Sequence, residues 1–234
     1  SILETCRSPR EQAKIGSIVL ANDTLGPGGA ERQVVNTIAG LIQCKSVRPI
    51  LLCQYLDKGE ENRFFLPSLV NMGGIARQLP RTRRLSVHGL NAFPEYSRFY
   101  LQQLNPYLLQ SVLDYVVEFN RISPNVAHAW QDDTNIKVGL AAALCGVPRI
   151  VLSCRTMSPA HYPYAKSYIR PGYQALAALP QVRFLCNSRA GAEEYSKWAG
   201  VPAGRFSVVH NAFVDNALED DTQLGVAARA QMQI

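Results

Sequence analysis

Apolar residues follow two different spacings along the chain. Short runs of β-branched and other apolar residues, of which 15–21 is the first, alternate with longer segments in which apolar residues recur every three or four positions, as they do from Val34 to Ile42. The first spacing predicts buried strands, and the second predicts amphipathic helices. Regular alternation of the two is typical of βαβ units, so we predict an α/β fold with a doubly wound, mostly parallel sheet.

About seven strands are predicted. They lie at 15–21, 49–55, 75–79, 125–129, 149–154, 182–186 and 206–210. Helices are predicted at 34–42, 106–117, 134–144 and 190–198, and the lack of a regular period over 81–104 favours an irregular segment with a short helix. Ligands of doubly wound sheets bind beyond the carboxyl ends of the strands, so we expect functional residues in the loops that follow them.

The composition is that of a globular protein. Apolar residues make up 47% and charged residues 18% of the 234 residues, a length that one α/β domain can fill. The longest strongly apolar run, Val138 to Val147, has about half the length needed to span a bilayer, and no secretory signal opens the chain. The six cysteines stand singly, which predicts reduced thiols, a cytoplasmic location and no cysteine-bound metal.

The net charge of +6 is compatible with nucleic acid, an anionic membrane surface or a phosphorylated ligand. The densest basic cluster comprises Arg77, Arg81, Arg83, Arg84 and His88, in a segment interrupted by proline and serine. A solvated loop is the favoured interpretation, and the alternatives are peripheral contact with the inner membrane or binding of an anionic ligand. Nucleic acid is not an expected partner, because the basic residues do not alternate with stacking aromatic residues on one element.

A glycine-rich turn, 26–32, follows the first predicted strand and opens a helix. Small residues there let a ligand approach the free N–H groups at the positive end of the helix. The turn is not the dinucleotide-binding fingerprint, because Glu31 occupies the third glycine position, and it lacks the Lys-Ser/Thr pair of a P-loop. We predict that Gly28 and Gly29 bind a phosphate, with a tight turn without ligand as the alternative.

Five segments, in this order, resemble the family 4 glycosyltransferases that build bacterial capsules, lipopolysaccharide cores and exopolysaccharides. They are GGAER at 28–32; PNVAHAW at 124–130, similar to P-D-V-V-H-A-H; 141–151, similar to A-x-x-x-G-V-P-x-V; FLCNS at 184–188, similar to V-x-x-x-S-N-S; and 201–215, similar to V-P-x-x-R-x-x-V-I-P-N-G-V-D. Each segment alone is a weak signal, but their ordered combination over roughly residues 15–215 is specific.

The resemblance implies the N-terminal, acceptor-side, Rossmann-like half of a GT-B fold. It implies an acceptor-binding domain at 1–216, with 217–234 as a linker helix towards a C-terminal donor-binding domain in cis. In the family that second half carries two glutamates separated by seven residues, and no two glutamates of this chain have that spacing. We therefore expect the full-length protein to transfer a hexose, with retention, from a nucleotide-sugar to a glycan or lipid-linked acceptor, and the chain alone to be inactive.

The resemblance also implies roles at the end of the fourth predicted strand. His128 matches the first histidine of the family's paired-histidine motif, whereas Trp130 replaces the second, which is usually placed at the reaction centre. We predict His128 and Asp132 as catalytic residues and Trp130 and Gln131 as acceptor contacts. The acidic neighbours are expected to orient the imidazole or to raise its pKa. A purely structural histidine is the alternative.

Polar residues after the later strands are further candidates for substrate binding. We predict that Arg155, Asn187 and Asn211 bind the donor phosphate or another part of the substrate. The alternative for the arginine is an ion pair with Asp132 or Asp133.

The segment 157–168 follows the carboxyl end of a strand and is rich in hydroxyl groups and aromatic rings. Aromatic rings stack on sugars while their polar tips bond hydroxyl groups, so His161 and Tyr162 are predicted acceptor contacts. The alternative is an aromatic loop that packs on its own domain.

No metal ion or other cofactor is expected, because the D-x-D pattern that holds a metal in other glycosyltransferase folds is missing and Asp132 and Asp133 are adjacent. Two other classes of function stay open. A GT-B nucleotide-sugar epimerase would share the architecture, and product analysis of the full-length protein separates isomerisation from transfer. A non-catalytic glycan-binding or scaffold module is favoured by Trp130 at the histidine position.

Overall fold

The computed structural model describes residues 16–45, 47–80, 95–163, 165–212 and 229–231. Within these residues the chain forms one sheet of seven parallel strands. The strands are β1 (Ser17–Asn22), β2 (Arg48–Cys53), β3 (Ile75–Gln78), β4 (Val126–Trp130), β5 (Arg149–Cys154), β6 (Val182–Cys186) and β7 (Phe206–Val208). Their order across the sheet is β3-β2-β1-β4-β5-β6-β7. The predicted doubly wound sheet of about seven strands is confirmed.

Helices connect the strands and cover the sheet. The α-helices of the described residues are α1 (Gly29–Gln43), α2 (Leu66–Asn71), α3 (Glu95–Leu101), α4 (Pro106–Ile122), α5 (Asp132–Leu144), α6 (Ile169–Ala177) and α7 (Arg189–Ala199). Short 3₁₀ turns lie at Glu61–Arg63, Pro159–His161 and Ala203–Arg205. The side chain of Asn105 caps α4 by accepting a hydrogen bond from the Tyr107 backbone N–H, and Pro106 fills the first helical position.

Two apolar layers form because successive residues of a strand point to opposite faces of the sheet. Leu20 of β1 packs in the layer that contains the buried residues of α1 and α2. Its neighbours Val19 and Ala21 pack in the other layer, with the buried residues of α4, α5, α6 and α7. All three side chains are fully buried. Burial on both faces explains why the central strands are continuous apolar runs rather than alternating patterns.

Two predicted boundaries differ from the structure in ways that affect the site. Helix α5 begins at Asp132 rather than at the predicted residue 134, so both aspartates lie in its first turn. Carboxylates are favourable there because the N–H groups at a helix start carry partial positive charge. Strand β7 ends at Val208 rather than at residue 210. The chain then reaches α1, where the Gln33 side chain donates a hydrogen bond to the Ala212 carbonyl and accepts one from its N–H.

Some predictions concern residues outside the described ranges. Of the predicted linker helix at 217–234, only 229–231 is described, and these residues are helical. Most of the basic cluster lies outside as well: Arg81, Arg83, Arg84 and His88. In the described ranges, no helix combines the length and the apolar character needed to cross a bilayer.

Candidate functional site

The candidate site lies where the direction of winding of the sheet reverses. Strands β1 and β4 are neighbours, and their carboxyl ends lead to α1 on one face of the sheet and to α5 on the other. Such a reversal opens a crevice between the two connections, which is where doubly wound folds bind their ligands. Neither helix has a side-chain cap at its start, at Gly28 or at Gln131. The first backbone N–H groups of both helices are therefore free of a capping side chain.

Gln131 joins the two sides of this crevice. Its side-chain amide donates a 2.9 Å hydrogen bond to Glu31 of α1, and its backbone N–H donates to the Ser153 carbonyl of β5 at 3.1 Å. Its backbone has φ 71° and ψ 154°, a region that is almost restricted to glycine and costs other residues of order 1–3 kcal/mol. Strain of this kind persists only where surrounding contacts hold it, and it concentrates at functional sites.

The two predicted phosphate-binding glycines differ in their surroundings. A side chain on Gly28 would overlap the carboxylate of Glu31, which folds back over the turn and also accepts a 3.2 Å hydrogen bond from Asn22. A side chain on Gly29 would meet no atom within 4 Å. The space beside Gly28 therefore belongs to a protein carboxylate, and only Gly29 faces open space where a ligand could approach.

A cavity of about 380 Å³ opens beside the start of α5. It is lined by Gln131, Asp132, Asp133, Arg155, Thr156, Pro159, Tyr162, Ala165, Lys166 and Ile169. The structure thus brings together four of the predicted site residues: Gln131, Asp132, Arg155 and Tyr162. We call this the first cavity.

Hydrogen bonds from two neighbouring helices orient the Asp132 side chain. Its carboxylate accepts hydrogen bonds from the hydroxyl groups of Tyr173 in α6, at 2.7 Å, and Tyr195 in α7, at 2.8 Å. Burial raises the pKa of Asp132, and the two tyrosine hydrogen bonds offset this effect only in part. Asp132 therefore lines the cavity with a carboxylate whose orientation is set by two buried tyrosines.

Asp133 has the opposite electrostatic character. Its carboxylate lies 2.7 Å from the ammonium groups of both Lys137 and Lys166, and it accepts a hydrogen bond from Tyr168. Burial acts to raise its pKa, but the charge of Lys137 and the hydrogen bonds outweigh burial, so the pKa of Asp133 lies below its usual value. Two adjacent aspartates therefore differ in how readily they ionise.

Lys137 is a site residue that the sequence analysis missed. Its side chain is fully buried, and besides the ion pair with Asp133 it donates hydrogen bonds to Gln54 at 2.7 Å and to the Tyr107 hydroxyl at 3.1 Å. A buried charge needs such partners, because desolvation of an ammonium group is otherwise prohibitive. The signal in the sequence is an Asp-Lys pair four residues apart, about one helical turn, with the lysine followed by a run of apolar residues and glycine.

His128 lies on the opposite face of β4, away from the first cavity. Its Nε2 is 2.8 Å from the Ser153 hydroxyl, and its ring centroid is 5.0 Å from that of Trp130. Burial, assisted by the positive charge of Arg155, lowers the pKa of His128 to about 3. The expectation that acidic neighbours raise this pKa is wrong, because Asp132 and Asp133 belong to α5 and contact other groups. At neutral pH His128 is an uncharged imidazole.

Arg155 contacts three other predicted site residues. Its guanidinium carbon lies 4.5 Å from the centroid of the Trp130 ring, and its side chain donates to the amide oxygen of Asn211. The amide of Asn187 donates to the Arg155 carbonyl at 3.4 Å. Among the described residues Arg155 forms no ion pair with either aspartate of α5, so the alternative of a structural ion pair is wrong. Trp130 is only 3% exposed, and it contributes a stacking surface beneath Arg155 rather than a cavity wall.

His161 and Tyr162 point in different directions although they are adjacent. Tyr162 lines the first cavity. The His161 side chain is 60% exposed and its Nε2 lies 2.8 Å from the carboxylate of Glu194, which also accepts hydrogen bonds from the backbone and hydroxyl of Ser158. His161 thus fastens the aromatic segment to α7, and it is not among the residues that line the cavity.

The part of the chain that the structure describes contains no group of three or more His, Cys, Asp or Glu side chains placed to hold a metal ion. The two carboxylates at the site have other partners: Asp132 accepts hydrogen bonds from tyrosine hydroxyl groups, and Asp133 forms ion pairs with lysines.

The chain resembles known proteins over most of its length. The sequence model of Glycosyltransferase Family 4 matches residues 27–215. The Vi polysaccharide biosynthesis protein VipC/TviE of Salmonella typhi is 28% identical over 250 residues, which cover 93% of this chain and 40% of that protein. The chain therefore spans less than half the length of this relative.

Solved structures show the same fold. HepE of Anabaena, in complex with UDP-glucose, aligns with a TM-score of 0.62 at 17% identity, over 93% of this chain and 50% of that chain. The UDP-GlcNAc 2-epimerase of Neisseria meningitidis, bound to UDP-GlcNAc, aligns with a TM-score of 0.52 at 11% identity, over 93% of this chain and 52% of that one. At these identities the likeness concerns the fold alone, and the chain corresponds to about half of each structure.

Proposed function

Because the chain belongs to Glycosyltransferase Family 4, we propose that the full-length protein transfers a sugar from a nucleotide-sugar donor to a glycan or lipid-linked acceptor in bacterial polysaccharide biosynthesis. The observation that carries the proposal is the first cavity, because it opens beyond the carboxyl ends of β4 and β5, next to the reversal point of the sheet. Similarity to a polysaccharide biosynthesis protein supports a glycan product. The UDP-glucose complex of HepE, a structure of the same fold, supports a nucleotide-sugar donor.

The lining of the first cavity suits the acceptor sugar. Hydroxyl groups need both donors and acceptors, which Lys166, Arg155 and the two aspartates supply, while the ring of Tyr162 offers an apolar face for a sugar ring. Asp132 and Asp133 are oriented by buried partners, so their positions are set before a ligand arrives. In this proposal the chain provides the acceptor wall of the cleft.

The other side of the crevice suits the donor. The open space beside Gly29 and the uncapped start of α1 would receive a diphosphate, because free N–H groups there attract negative charge. His128 is neutral and would act near the transferred sugar as a hydrogen-bonding group rather than as a cation. Most of the nucleotide contacts would come from a C-terminal domain in cis, and we propose retention of configuration and no metal requirement.

We further propose a cytoplasmic reaction, with the positively charged domain touching an anionic membrane. The net charge of +6 supports such contact. Co-sedimentation of the chain with phosphatidylglycerol vesicles, abolished by high salt, is the expected result, and equal binding to neutral phosphatidylcholine vesicles would count against it.

The activity is tested by incubating the full-length protein with radiolabelled UDP-glucose, UDP-galactose and UDP-GlcNAc together with a panel of oligosaccharides. We expect label in a glycan with the full-length protein and none with the 234-residue chain. Appearance of the epimeric nucleotide-sugar would instead identify an epimerase. Glycan binding without either product would identify a non-catalytic module, and transfer by the chain alone would disprove the proposed division of roles between two domains.

A further inference from the structure

A second cavity lies beside the first. Its volume is about 290 Å³, and it opens between the carboxyl ends of β2 and β3 and the first turns of α4. It is lined by Gln54, Tyr55, Lys58, Leu79, Tyr107, Gln110, Ser111 and Asp114. None of these residues belongs to the predicted site, and the proposed function assigns them no role.

The lining chemistry suits a ligand with many hydroxyl groups. Tyr55 and Tyr107 provide aromatic rings, and their hydroxyl groups lie 3.2 Å apart. Gln110 donates to Asp114 at 3.0 Å, so an amide and a carboxylate stand side by side as donor and acceptor. Lys58 supplies an ammonium group 4.1 Å above the Tyr55 ring. Two ammonium groups also lie near the Tyr107 ring, those of Lys166 at 4.4 Å and of Lys137 at 4.8 Å from its centroid. The aromatic surface that the lysines leave uncovered, combined with amide and carboxylate groups, suits the alternating apolar and polar faces of a sugar ring.

Contacting side chains connect the linings of the two cavities. The Lys166 ammonium, which lines the first cavity, lies 4.4 Å from the centroid of the Tyr107 ring, which lines the second. Buried Lys137 connects them underneath, because it pairs with Asp133 on one side and bonds Gln54 and Tyr107 on the other. A ligand that fills both cavities would therefore pass over one continuous polar wall.

The second cavity is accessible from solvent. Tyr107 is 41% exposed, and the Lys58 side chain is exposed as well. Both cavities open at the carboxyl ends of strands, on the same edge of the sheet. An extended ligand along this edge would meet both cavities in turn.

We infer that the second cavity is a subsite for the sugar unit that precedes the one bound in the first cavity. The acceptor would then be a chain of at least two sugars, and a single sugar would use only half of the available contacts. This inference rests on the proposed function, because it takes the first cavity as the acceptor site.

Binding of sugars to the chain tests the inference. The probes are glucose, galactose, maltose, cellobiose and lactose at millimolar concentration, observed by saturation-transfer NMR. We expect at least one disaccharide to bind more tightly than its monosaccharides and to receive saturation on both rings. Tyr55→Ala removes an aromatic contact and Gln110→Ala removes a polar one. Each variant should lower the affinity for that disaccharide by roughly tenfold and leave monosaccharide binding unchanged.

Matched controls separate a lost contact from a lost fold. Gln43→Ala removes the same side chain as Gln110→Ala, but at the exposed far end of α1, and should bind like the wild type. Tyr55→Phe keeps the ring and should retain most of the disaccharide preference. The inference is overturned if no disaccharide binds better than its monosaccharides, if no sugar binds at all, or if both cavity variants keep the preference.

Glycosyl transfer by the full-length protein tells the two proposals apart. Transfer that proceeds equally well to single sugars and disaccharides, and that Tyr55→Ala leaves unchanged, would remove the subsite but leave the proposed function intact. If the disaccharide preference depends on Tyr55 but the full-length protein transfers no sugar, the subsite would stand and the proposed function would be wrong.

Discussion

The two faces of the sheet at the end of β4 differ in chemistry, although the residues compared lie within ten positions of one another in the sequence. On the α1 face, the rings of His128 and Trp130 pack against each other, and the pKa of the imidazole is lowered to about 3, so that it is uncharged. On the α5 face, Asp133 and Lys137 form a dense network of charges and hydrogen bonds. The strained backbone of Gln131 separates the two environments. A change of direction at one residue thus places an uncharged imidazole on one face of the sheet and a buried Asp-Lys ion pair on the other.

The largest expected effect concerns the ionic side. Lys137→Met should lower the free energy of unfolding by about 3 kcal/mol, because it leaves Gln54 and Tyr107 without their buried donor and Asp133 with one cation fewer. Lys166→Met, which removes an exposed partner of the same carboxylate, should cost less than about 1 kcal/mol. Urea denaturation of both variants measures the difference, and equal losses would mean that burial of Lys137 does not matter.

The neutral side should be sensitive to acid. The pKa of His128 is lowered from 6.5 to about 3 in the folded chain, so the unfolded chain binds a proton more readily over that interval. The stability contribution of neutral His128 is complete above pH 6.5 and is lost as the pH falls towards 3. His128→Gln should therefore remove about 1–2 kcal/mol of the destabilisation seen at pH 5. Unfolding curves at pH 5 and pH 8 check this, and a parallel decline of both proteins would contradict it.

The strain at the boundary can be isolated with two variants of Gln131. Both Gln131→Gly and Gln131→Ala lose the hydrogen bond to Glu31, but only glycine accepts the backbone conformation without strain. The glycine variant should therefore be more stable than the alanine variant by about 1 kcal/mol, in spite of the greater flexibility of glycine in the unfolded chain. Thermal unfolding provides the comparison. An alanine variant that is as stable as the glycine variant would show that the backbone is not strained.

The smallest expected effect on stability separates the two glycines of the first turn. Gly28→Ala should cost about 1 kcal/mol, because its methyl group displaces the Glu31 carboxylate from Asn22 and Gln131. Gly29→Ala should leave stability unchanged or slightly raised, since its methyl group meets no atom. If a donor phosphate binds at the start of α1, Gly29→Val in the full-length protein should lose activity without unfolding. Full activity of that variant would mean that the turn is only structural.

The parts of the site that could be predicted from the sequence are those that depend on local order. Gln131, Asp132 and Arg155 follow the ends of apolar runs, so their place at the carboxyl edge of a parallel sheet follows from the fold class. The partners of these residues could not be predicted. Gln131 bonds Glu31 across 100 positions of the sequence, and Asp132 bonds Tyr195 across 63. Nothing in the local spacing of apolar residues specifies which distant side chains meet.

The sequence by itself determined the parallel sheet, the glycine turn and the order of the family motifs, because strand and helix periodicity and turn chemistry act over a few neighbouring residues. The tertiary structure decided which ionisable side chains form ion pairs and which stay uncharged. It buried Lys137 between two cavities, turned His161 towards Glu194 and placed His128 where its imidazole stays uncharged. These outcomes depend on desolvation and on long-range contacts, and both arise only when the helices pack against the sheet.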